Sequence, residues 1–397
     1  MKKNSILAVL GLSGFVVMAD NWVVSPILPS IAAGIGVDPV RAGLLITAYM
    51  IPFGLFQLVF GPLADRFGKR QVVTIAMVAF TVGTGLSALG ASLTGLALFR
   101  ALTGIFAASV MPISLALIAD IFPMEERQTA IGTFMGISFL GQGLSMAIGG
   151  SIAFFVSWRG VFAVYAVLSA IATALLLKIG NRIPSVRNPE SKMLAPYLGL
   201  LTTKASVLTY LIVLFEGILI VGSFSYIGAY IFNSYHFDNL VIGLIMTTFG
   251  LMAVLGGRIS GALAARFGRR PVLAAGLISA CAADAILFLA GGSLPALIGG
   301  VGLLGLGFML AHSTLLTIAT QFAAKARGVA MSLVAFAFMG GGGIGTALGG
   351  RLIGSLGFTR FFGAYALALA VLVVLALILI RDAGTGQEKP GPSATMK

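Results

Sequence analysis

Apolar stretches long enough to cross a membrane recur along the chain, and short polar segments separate them. A helix needs about 20 mostly apolar residues to span a bilayer. The pattern therefore predicts an all-α polytopic membrane protein with twelve transmembrane helices. The predicted ranges are 6–28, 42–62, 72–90, 95–118, 129–152, 159–178, 206–231, 240–260, 271–290, 295–318, 329–353 and 360–380.

The longest polar interruption follows the sixth predicted helix and divides the chain into two halves. It contains Pro184, Pro189 and several basic residues, a composition typical of a linker. We expect an N-terminal six-helix bundle over 1–178, a cytoplasmic linker over 179–205 and a C-terminal six-helix bundle over 206–381. The polar residues 382–397 are expected to form a disordered cytoplasmic tail.

Composition narrows the class of protein. Of the 397 residues, 58% are hydrophobic and only 9% are charged, whereas soluble domains carry roughly 25% charged residues. A soluble enzyme, a secreted module and a nucleic-acid binder are therefore excluded. The single cysteine, Cys281, excludes a disulfide framework and a multi-cysteine metal site. The first 19 residues also resemble a signal peptide, but the dense apolar spans that follow favour a retained first helix.

The net charge of +13 is distributed unevenly along the chain. If the N-terminus is cytoplasmic, 19 of the 25 Lys and Arg residues lie in cytoplasmic segments. Arg258 lies near an inner helix end and Arg100 lies inside the fourth helix. The four at the outer side are Arg41, Arg159, Arg351 and Arg360. Basic residues accumulate on the cytoplasmic side of membrane proteins, so both termini are predicted to be cytoplasmic.

The chain contains an internal repeat. GPLADRFGKRQV begins at Gly61 and GALAARFGRRPV begins at Gly261, and eight of the twelve positions are identical. A second set of glycines keeps the same offset of 200 residues. It comprises Gly141, Gly143, Gly149 and Gly150, matched by Gly341, Gly343, Gly349 and Gly350. Two separate motifs in one register predict two pseudo-symmetric bundles in the same orientation, as in some transporters.

These residues resemble the major facilitator superfamily of secondary transporters over nearly the whole chain. The family motif between helices two and three is matched by Gly61, Asp65, Arg66, Gly68, Lys69 and Arg70. Its degenerate copy retains Gly261, Arg266, Gly268, Arg269 and Arg270, with Ala265 in place of the acid. A further motif in helix four is matched by FRALTGIFAA, which contains Arg100 and Gly104.

Among the branches of this family, the chain is most similar to twelve-helix drug:proton antiporters and related metabolite exporters. ADNWVVSPILPSIA resembles their first helix, but Ser145 and Met146 replace the usual glycine–proline pair of helix five. The resemblance implies alternating access and efflux of small organic compounds, driven by the proton gradient without a cofactor. A sugar or metabolite exporter, an uptake symporter and a lipid flippase remain alternatives. We expect a monomer in the inner membrane of a bacterium, whose partners are its substrate, protons and lipid.

The motif residues suggest a cytoplasmic gate. Gly61 and Gly68 permit a tight turn. By resemblance, the Asp65 carboxylate accepts hydrogen bonds from the start of helix eleven, near 327–331, and latches the two halves in the outward-open state. Asp120 is placed to pair with Lys69 or Arg70. The alternative is that the basic residues only anchor to lipid phosphates.

The glycines of helices five and eleven suggest close helix packing, because small residues let helices approach in lipid. We expect these helices to contact the opposite half, with static packing as the alternative. The glycines concerned are Gly141, Gly149, Gly150, Gly341, Gly345, Gly349 and Gly350.

Ionisable residues inside the apolar spans are the candidate coupling groups, because an intramembrane charge costs at least about 2.5 kcal/mol and usually faces a cavity or a partner. Asp20 is expected to carry protons or bind substrate, unless a salt bridge with Arg100 immobilises it. Glu216 holds a comparable position in the second half. Arg100 could instead contact an anionic substrate or hold helix four. His312 is a candidate proton relay or a packing residue.

Other polar and aromatic side chains are predicted to complete a central cavity. Aromatic faces suit lipophilic or cationic substrates, although many membrane aromatics are packing residues or interface anchors. The predicted cavity residues are Asn21, Trp22, Tyr49, Gln57, Gln142, Tyr226 and Tyr230.

Overall fold

The structure is a computed structural model that describes residues 3–180, 183, 195–322 and 327–380. This described part is helical and contains no strand. Most of its helices are apolar and long enough to cross a membrane. Most of their ends extend beyond the predicted ranges, because the helices continue into polar residues at the membrane surface.

Six of these helices form the N-terminal half. The first, α1, runs over Lys3–Trp22 and continues, after an interruption at Val23, as Val24–Ile35. The other five are α2 (Pro39–Phe67), α3 (Lys69–Ala88), α4 (Leu93–Ile121), α5 (Glu125–Phe155) and α6 (Trp158–Gly180).

The C-terminal half repeats this arrangement. Its first four helices are α7 (Lys204–Tyr235), α8 (Asn239–Phe267), α9 (Arg269–Ala290) and α10 (Leu294–Gln321). A last helical segment, Gly328–Leu379, has 52 residues, about twice the length that one crossing needs. Gly357 interrupts it with φ 77° and ψ 168°, a backbone conformation open to glycine. We number its two parts α11 (328–356) and α12 (358–379), which confirms the twelve predicted crossings.

Successive helices cross in alternate directions, so the molecule has two ends. We call the end that carries Lys3 and the turns at Gly68 and Gly268 the terminal face, and the opposite end the far face. Gly68 and Gly268 have φ values of 101° and 88°, which only glycine adopts readily. The turn prediction was wrong for Gly61, which lies inside α2, as its counterpart Gly261 lies inside α8.

Equivalent contacts in the two halves show the repeat in three dimensions. The hydroxyl of Tyr165 donates to the carbonyl of Ser145 at 3.5 Å, and 200 positions later Tyr365 donates to Gly345 at 2.7 Å. At the terminal face, Arg70 donates to the carbonyl of Gly180 at the end of α6. Arg270 likewise donates to the carbonyl of Leu377 at the end of α12.

The connection between the halves contains a short helix. α6 extends to Gly180, and a short helix follows at Ala195–Leu200. Three residues separate the end of this helix from the start of α7 at Lys204. Tyr197 of this helix is buried, so the predicted linker contributes to the packed structure. Residues 181, 182 and 184–194 of that predicted linker, together with the predicted tail over 382–397, lie outside the described residues.

The packing glycines only partly follow the prediction. Most of them face a helix of their own half, as the atoms that an added Cβ would meet show. Gly141 and Gly149 face α1, while Gly341 and Gly345 face α7. Gly349 likewise faces Tyr226, Phe361 and Tyr365 of its own half. Gly150 is different, since it lies against Asn239 and Gly243 of α8, and Gly350 is near both Tyr226 and Val40 of the other half.

Candidate transport site

Direct contacts between the halves seal the far face. On α1, the hydroxyl of Ser25 donates to the carbonyls of Phe224 and Ser225 at 2.9 and 3.0 Å. The side-chain amide of Asn239 donates to the hydroxyl of Ser30 at 2.5 Å. These bonds join the two halves through α1, α7 and α8, and the close approach of α5 and α8 at Gly150 lies at the same end.

Two cavities lie between the halves on the terminal side. The smaller, of about 210 Å³, lies between Asp65 on α2, the start of α11 and Tyr197. The larger, of about 660 Å³, lies between α5 on one side and α8 and α10 on the other. The far side is therefore closed in this structure, and the terminal side contains open space.

An aromatic cluster lies between the halves where α1 meets the C-terminal half. The indole ring of Trp22 lies 5.1 Å from Phe224, 5.7 Å from Phe249 and 6.0 Å from Phe308, measured between ring centroids. Phe308 in turn stacks on Phe338 at 5.3 Å. The cluster therefore joins α1 to α7, α8, α10 and α11, and Trp22 is the residue that the N-terminal half contributes to it.

In the N-terminal half, Asp20 and Arg100 form a buried ion pair. One guanidinium nitrogen lies 2.6 Å from Asp20 Oδ2, and another donates to the Asp20 backbone carbonyl at 3.1 Å. The guanidinium also lies 4.3 Å from the ring centroid of Tyr49. The salt bridge considered from the sequence is therefore present, and it joins α1 to α4. Asp20 Oδ1 and Arg100 Nε remain without a partner among the described residues.

In the C-terminal half, Glu216 and His312 form a second pair, between α7 and α10. His312 Nδ1 lies 3.1 Å from Glu216 Oε2, and the Glu216 side chain is fully buried. The imidazole also lies 4.3 Å from the Phe338 ring, which places this pair at the edge of the aromatic cluster. Glu216 immediately precedes a π-helical turn at Gly217–Val221, a feature that is frequent at functional sites.

The predicted cavity residues divide into two groups. Near the ion pair and the cluster, Asn21, Trp22 and Tyr49 are buried, and each retains a polar atom without a hydrogen-bond partner in the described part of the chain. Gln57 of α2 is buried as well. Gln142 lines the larger cavity, and its amide nitrogen is likewise unpartnered in the described region.

The cavity prediction was wrong for Tyr226 and Tyr230, which pack near the far face. Tyr226 donates to the carbonyl of Thr346 at 2.9 Å. Tyr230 packs against Phe362, with ring centroids 5.2 Å apart. The Tyr226 hydroxyl also lies 3.4 Å from the Val40 carbonyl of the N-terminal half. Neither tyrosine lines either of the two cavities.

The terminal-face motif forms part of the predicted gate. Lys69 Nζ lies 2.7 Å from Asp120 Oδ2, so the pairing expected for Asp120 is present. Asp65 is exposed, and no hydrogen bond joins it to any described residue; the smaller cavity separates it from Gly328. Burial raises the pKa of the Tyr197 hydroxyl, which hydrogen-bonds Ser332 across this gap. The Asp65 latch is therefore not formed in this arrangement.

The remaining basic residues of the motif lie at the surface of this face. The guanidinium of Arg66 lies 5.8 Å from the ring of Phe67, and that of Arg266 lies 5.0 Å from the ring of Phe267. Arg269 is partly buried at the start of α9. The matching geometry of the two arginines follows the internal repeat.

Sequence reasoning did not pair Glu216 with His312, and it did not identify the aromatic cluster. The two residues are 96 positions apart, and no local pattern connects them. A phenylalanine on an apolar helix carries no signal that separates a central position from a lipid-facing one. A further buried acid, Asp284 of α9, accepts a hydrogen bond from the Ser223 hydroxyl of α7 at 2.5 Å.

Comparison with known proteins agrees with this architecture. The profile of the Major Facilitator Superfamily matches residues 10–238 and 209–395. The uncharacterized MFS-type transporter YceJ of Bacillus subtilis is 30% identical over 384 residues, which cover 92% of this chain and 93% of that protein. Multidrug resistance protein fnx1 of Schizosaccharomyces pombe is 31% identical over 205 residues, which cover 50% of this chain and 38% of that protein.

The fold is also similar to a crystal structure of a variant of the nucleoside transporter NupG. The TM-score is 0.78 with 13% sequence identity, and the match covers 95% of this chain and all of the other. At this identity the similarity concerns the fold alone. Together with the family profile and the relative in Bacillus subtilis, the twelve-helix fold shows that the chain belongs to the major facilitator superfamily and is a multi-pass membrane transporter, not an enzyme.

Proposed function

We propose that the protein is a proton-coupled exporter of small, amphipathic organic compounds. In this proposal it lies in the inner membrane of a bacterium with both termini in the cytoplasm, so the terminal face is cytoplasmic. The excess of Lys and Arg in segments at that face supports the orientation. The structure then corresponds to a state that is closed to the outside and receives its cargo from the inside.

The observation that carries the proposal is the Glu216–His312 pair. It is an acid–base pair inside the membrane region, and it joins α7 to α10 beside the aromatic cluster between the halves. An intramembrane ionisable group is expensive and is therefore a functional-site hypothesis by default. Carboxyl and imidazole groups are the side chains that most often donate and accept protons in proteins.

The Asp20–Arg100 pair is less suited to carrying protons. Arginine remains charged at any physiological pH, and two hydrogen bonds hold it to Asp20. A carboxylate in contact with a permanent cation favours its charged form. We therefore assign proton exchange to Glu216 and assign to Asp20 the positioning of α1 against α4.

The transport cycle follows from the charge on Glu216. When Glu216 is ionised, its pair with His312 supports the state that is closed at the far face, and cargo enters from the terminal side. After the halves rock, a proton from the outside neutralises Glu216, weakens the pair and favours release of cargo. After cargo release the halves rock back. Loss of the proton to the cytoplasm, where protons are scarcer, restores the pair and makes the return favourable.

The comparisons give this proposal general support. The name of fnx1 associates it with multidrug resistance, but the matched segment covers less than two-fifths of that protein. Ser145 and Met146, where family exporters resembling this chain have a glycine–proline pair, favour a metabolite exporter as the second candidate.

The test uses bacterial cells that lack their own exporters and express the full chain. The cells are challenged with a panel of cationic and anionic dyes, antibiotics and detergents. We expect increased resistance to some of these compounds, which an uncoupler of the proton gradient abolishes. Glu216→Gln should lose this resistance at equal membrane expression, whereas Glu125→Gln, an exposed acid without a described partner, should retain it. Resistance that survives the uncoupler, or that Glu216→Gln retains, would refute proton coupling at this site.

A further inference from the structure

The larger cavity contains polar groups that the transport cycle described above does not use. Its wall on α5 includes Thr133 and Gln142, its wall on α8 includes Arg258, and its wall on α10 includes Ser313. The rest of the lining is predominantly apolar, with glycine, alanine and larger aliphatic or aromatic side chains. Its volume of about 660 Å³ is in the range typical of pockets for small molecules.

Arg258 is the most informative of these groups. It is exposed on α8, nine residues before the helix ends at Phe267, and no hydrogen bond or ion pair joins it to any described residue. At 1.5 Å per residue it lies about 13 Å from that helix end, within a span that is otherwise apolar. Because its guanidinium has no partner among the described residues, it is available to an anionic group that enters the cavity.

The other end of the cavity is lined by a second hydrogen-bonding side chain. Gln142 is 3% exposed, and its amide nitrogen has no acceptor among the described residues. Near it, Gly143 and Gly250 close the cavity through backbone contact between α5 and α8. The lining therefore combines the Arg258 cation with an uncharged amide that can donate, and no Asp or Glu is present among the described lining residues. This arrangement favours an occupant with acceptor or anionic groups over a cationic one.

The cavity opens toward the lipid-facing surface. Leu140 and Val254 belong to its lining and are 51% and 38% exposed, and the neighbouring Leu251 is 61% exposed. Apolar side chains exposed on transmembrane helices face the hydrocarbon of the bilayer. A molecule dissolved in the membrane can therefore reach the cavity between α5 and α8 without first entering water.

We propose that this cleft is a binding site for a single-chain amphiphile with an anionic head, which enters from the bilayer and places its head at Arg258. The apolar walls would hold its chain, and Gln142 would donate to a second acceptor near the other end. This inference rests on the proposed export function and specifies the class of cargo. Met309 and Ser313 of the cleft flank His312 on α10, so the site adjoins the proposed proton-exchange pair.

The test measures binding, without any ion gradient, to the full-length protein in phosphatidylcholine nanodiscs. The probe is 11-(dansylamino)undecanoic acid, which has a carboxylate at one end and sulfonyl acceptors at the other; its methyl ester serves as the neutral probe. We expect Arg258→Gln to weaken binding of the acid at least about tenfold and to leave binding of the ester within about twofold. Arg258→Lys should restore part of the affinity. Arg351→Gln, which removes an exposed arginine near the far face, is the matched control and should change neither.

Three results would overturn the proposal. The first is unchanged acid binding in Arg258→Gln, and the second is an equal loss of acid and ester binding in that variant. The third is displacement of the probe by phosphatidylglycerol added to the nanodiscs, which would identify a membrane phospholipid as the occupant. Because the assay requires no transport and no ion gradient, failure of proton coupling in the cell assay would leave this binding result intact.

Discussion

Replacing Asp20 with asparagine tests the role of the buried pair in the N-terminal half. Arg100 is only 1% exposed, so loss of the Asp20 charge leaves a buried cation without a counterion. Breaking such a pair typically costs about 3–5 kcal/mol. The asparagine oxygen can still accept one hydrogen bond, which offsets about 1 kcal/mol, and the bond from Arg100 to the backbone carbonyl is unaffected. We therefore expect a net destabilisation of about 2–4 kcal/mol.

A thiol-reactive dye can measure this effect, because Cys281 is the single cysteine and is only partly exposed in the fold. In detergent, heating unfolds the protein and exposes this thiol to the dye. A loss of 1 kcal/mol lowers the Tm of a 150–250-residue domain by about 2–4 °C, so Asp20→Asn should melt at least about 4 °C below the native chain. Glu125→Gln, which alters an exposed acid, should melt with the native chain.

The double variant with Arg100→Gln separates charge from packing. Removing both charges of a buried pair is often nearly neutral, so the double variant should recover at least about 1 kcal/mol relative to Asp20→Asn. Equal melting of Asp20→Asn and the Glu125→Gln control would refute the reasoning. So would a double variant whose loss equals the sum of its two single losses.

Two further predictions concern packing and gating. Gly341→Ala should destabilise the protein by about 1–3 kcal/mol, because the added methyl group would meet the Leu214 carbonyl. The control Gly340→Ala, whose Cβ would meet nothing within 4 Å, should leave the stability unchanged. Equal melting temperatures of the two variants would contradict this packing. Asp65→Asn should favour the state described here, which is closed at the far face. In this state Asp65 makes no hydrogen bond to any described residue, whereas by family resemblance it latches the outward-open state. A cysteine at Ser30 in a Cys281→Ser background should then react more slowly with a membrane-impermeant maleimide, and an unchanged or faster reaction would count against the latch.

Much of the fold follows from the sequence. The apolar spans predict twelve crossings because a bilayer imposes a minimum helix length, and the motifs at Gly61 and Gly261 predict the repeat. The break at Gly357 was located only approximately, since a single glycine in a chain with 53 of them carries little information. The short helix around Tyr197 lies in a polar segment, where hydropathy gives no signal.

The candidate site was less predictable. The sequence identified Asp20, Arg100, Glu216 and His312 as expensive intramembrane groups, but it could not pair Glu216 with His312 across 96 positions. The pairing depends on how α7 packs against α10, and periodicity within one helix does not encode that contact. For the same reason the sequence could not separate Tyr226, which packs near the far face, from Trp22, which lies in the aromatic cluster between the halves.

The central claim is that the charge on Glu216 controls which face of the transporter is open. Electron–electron distance measurements can test it without knowledge of the substrate. One pair of spin labels, at Ala33 and Asn233, reports on the far face, and a second pair, at Glu125 and Gln321, reports on the terminal face. All four positions are exposed, and the background carries Cys281→Ser.

In the native sequence, acidification should lengthen the far-face distances and shorten the terminal-face distances, because protonated Glu216 no longer supports the far-closed state through His312. Glu216→Gln should show the same shift at every pH, without further response to acid. Distances that do not respond to Glu216→Gln, or a pH response that persists unchanged in that variant, would contradict the account.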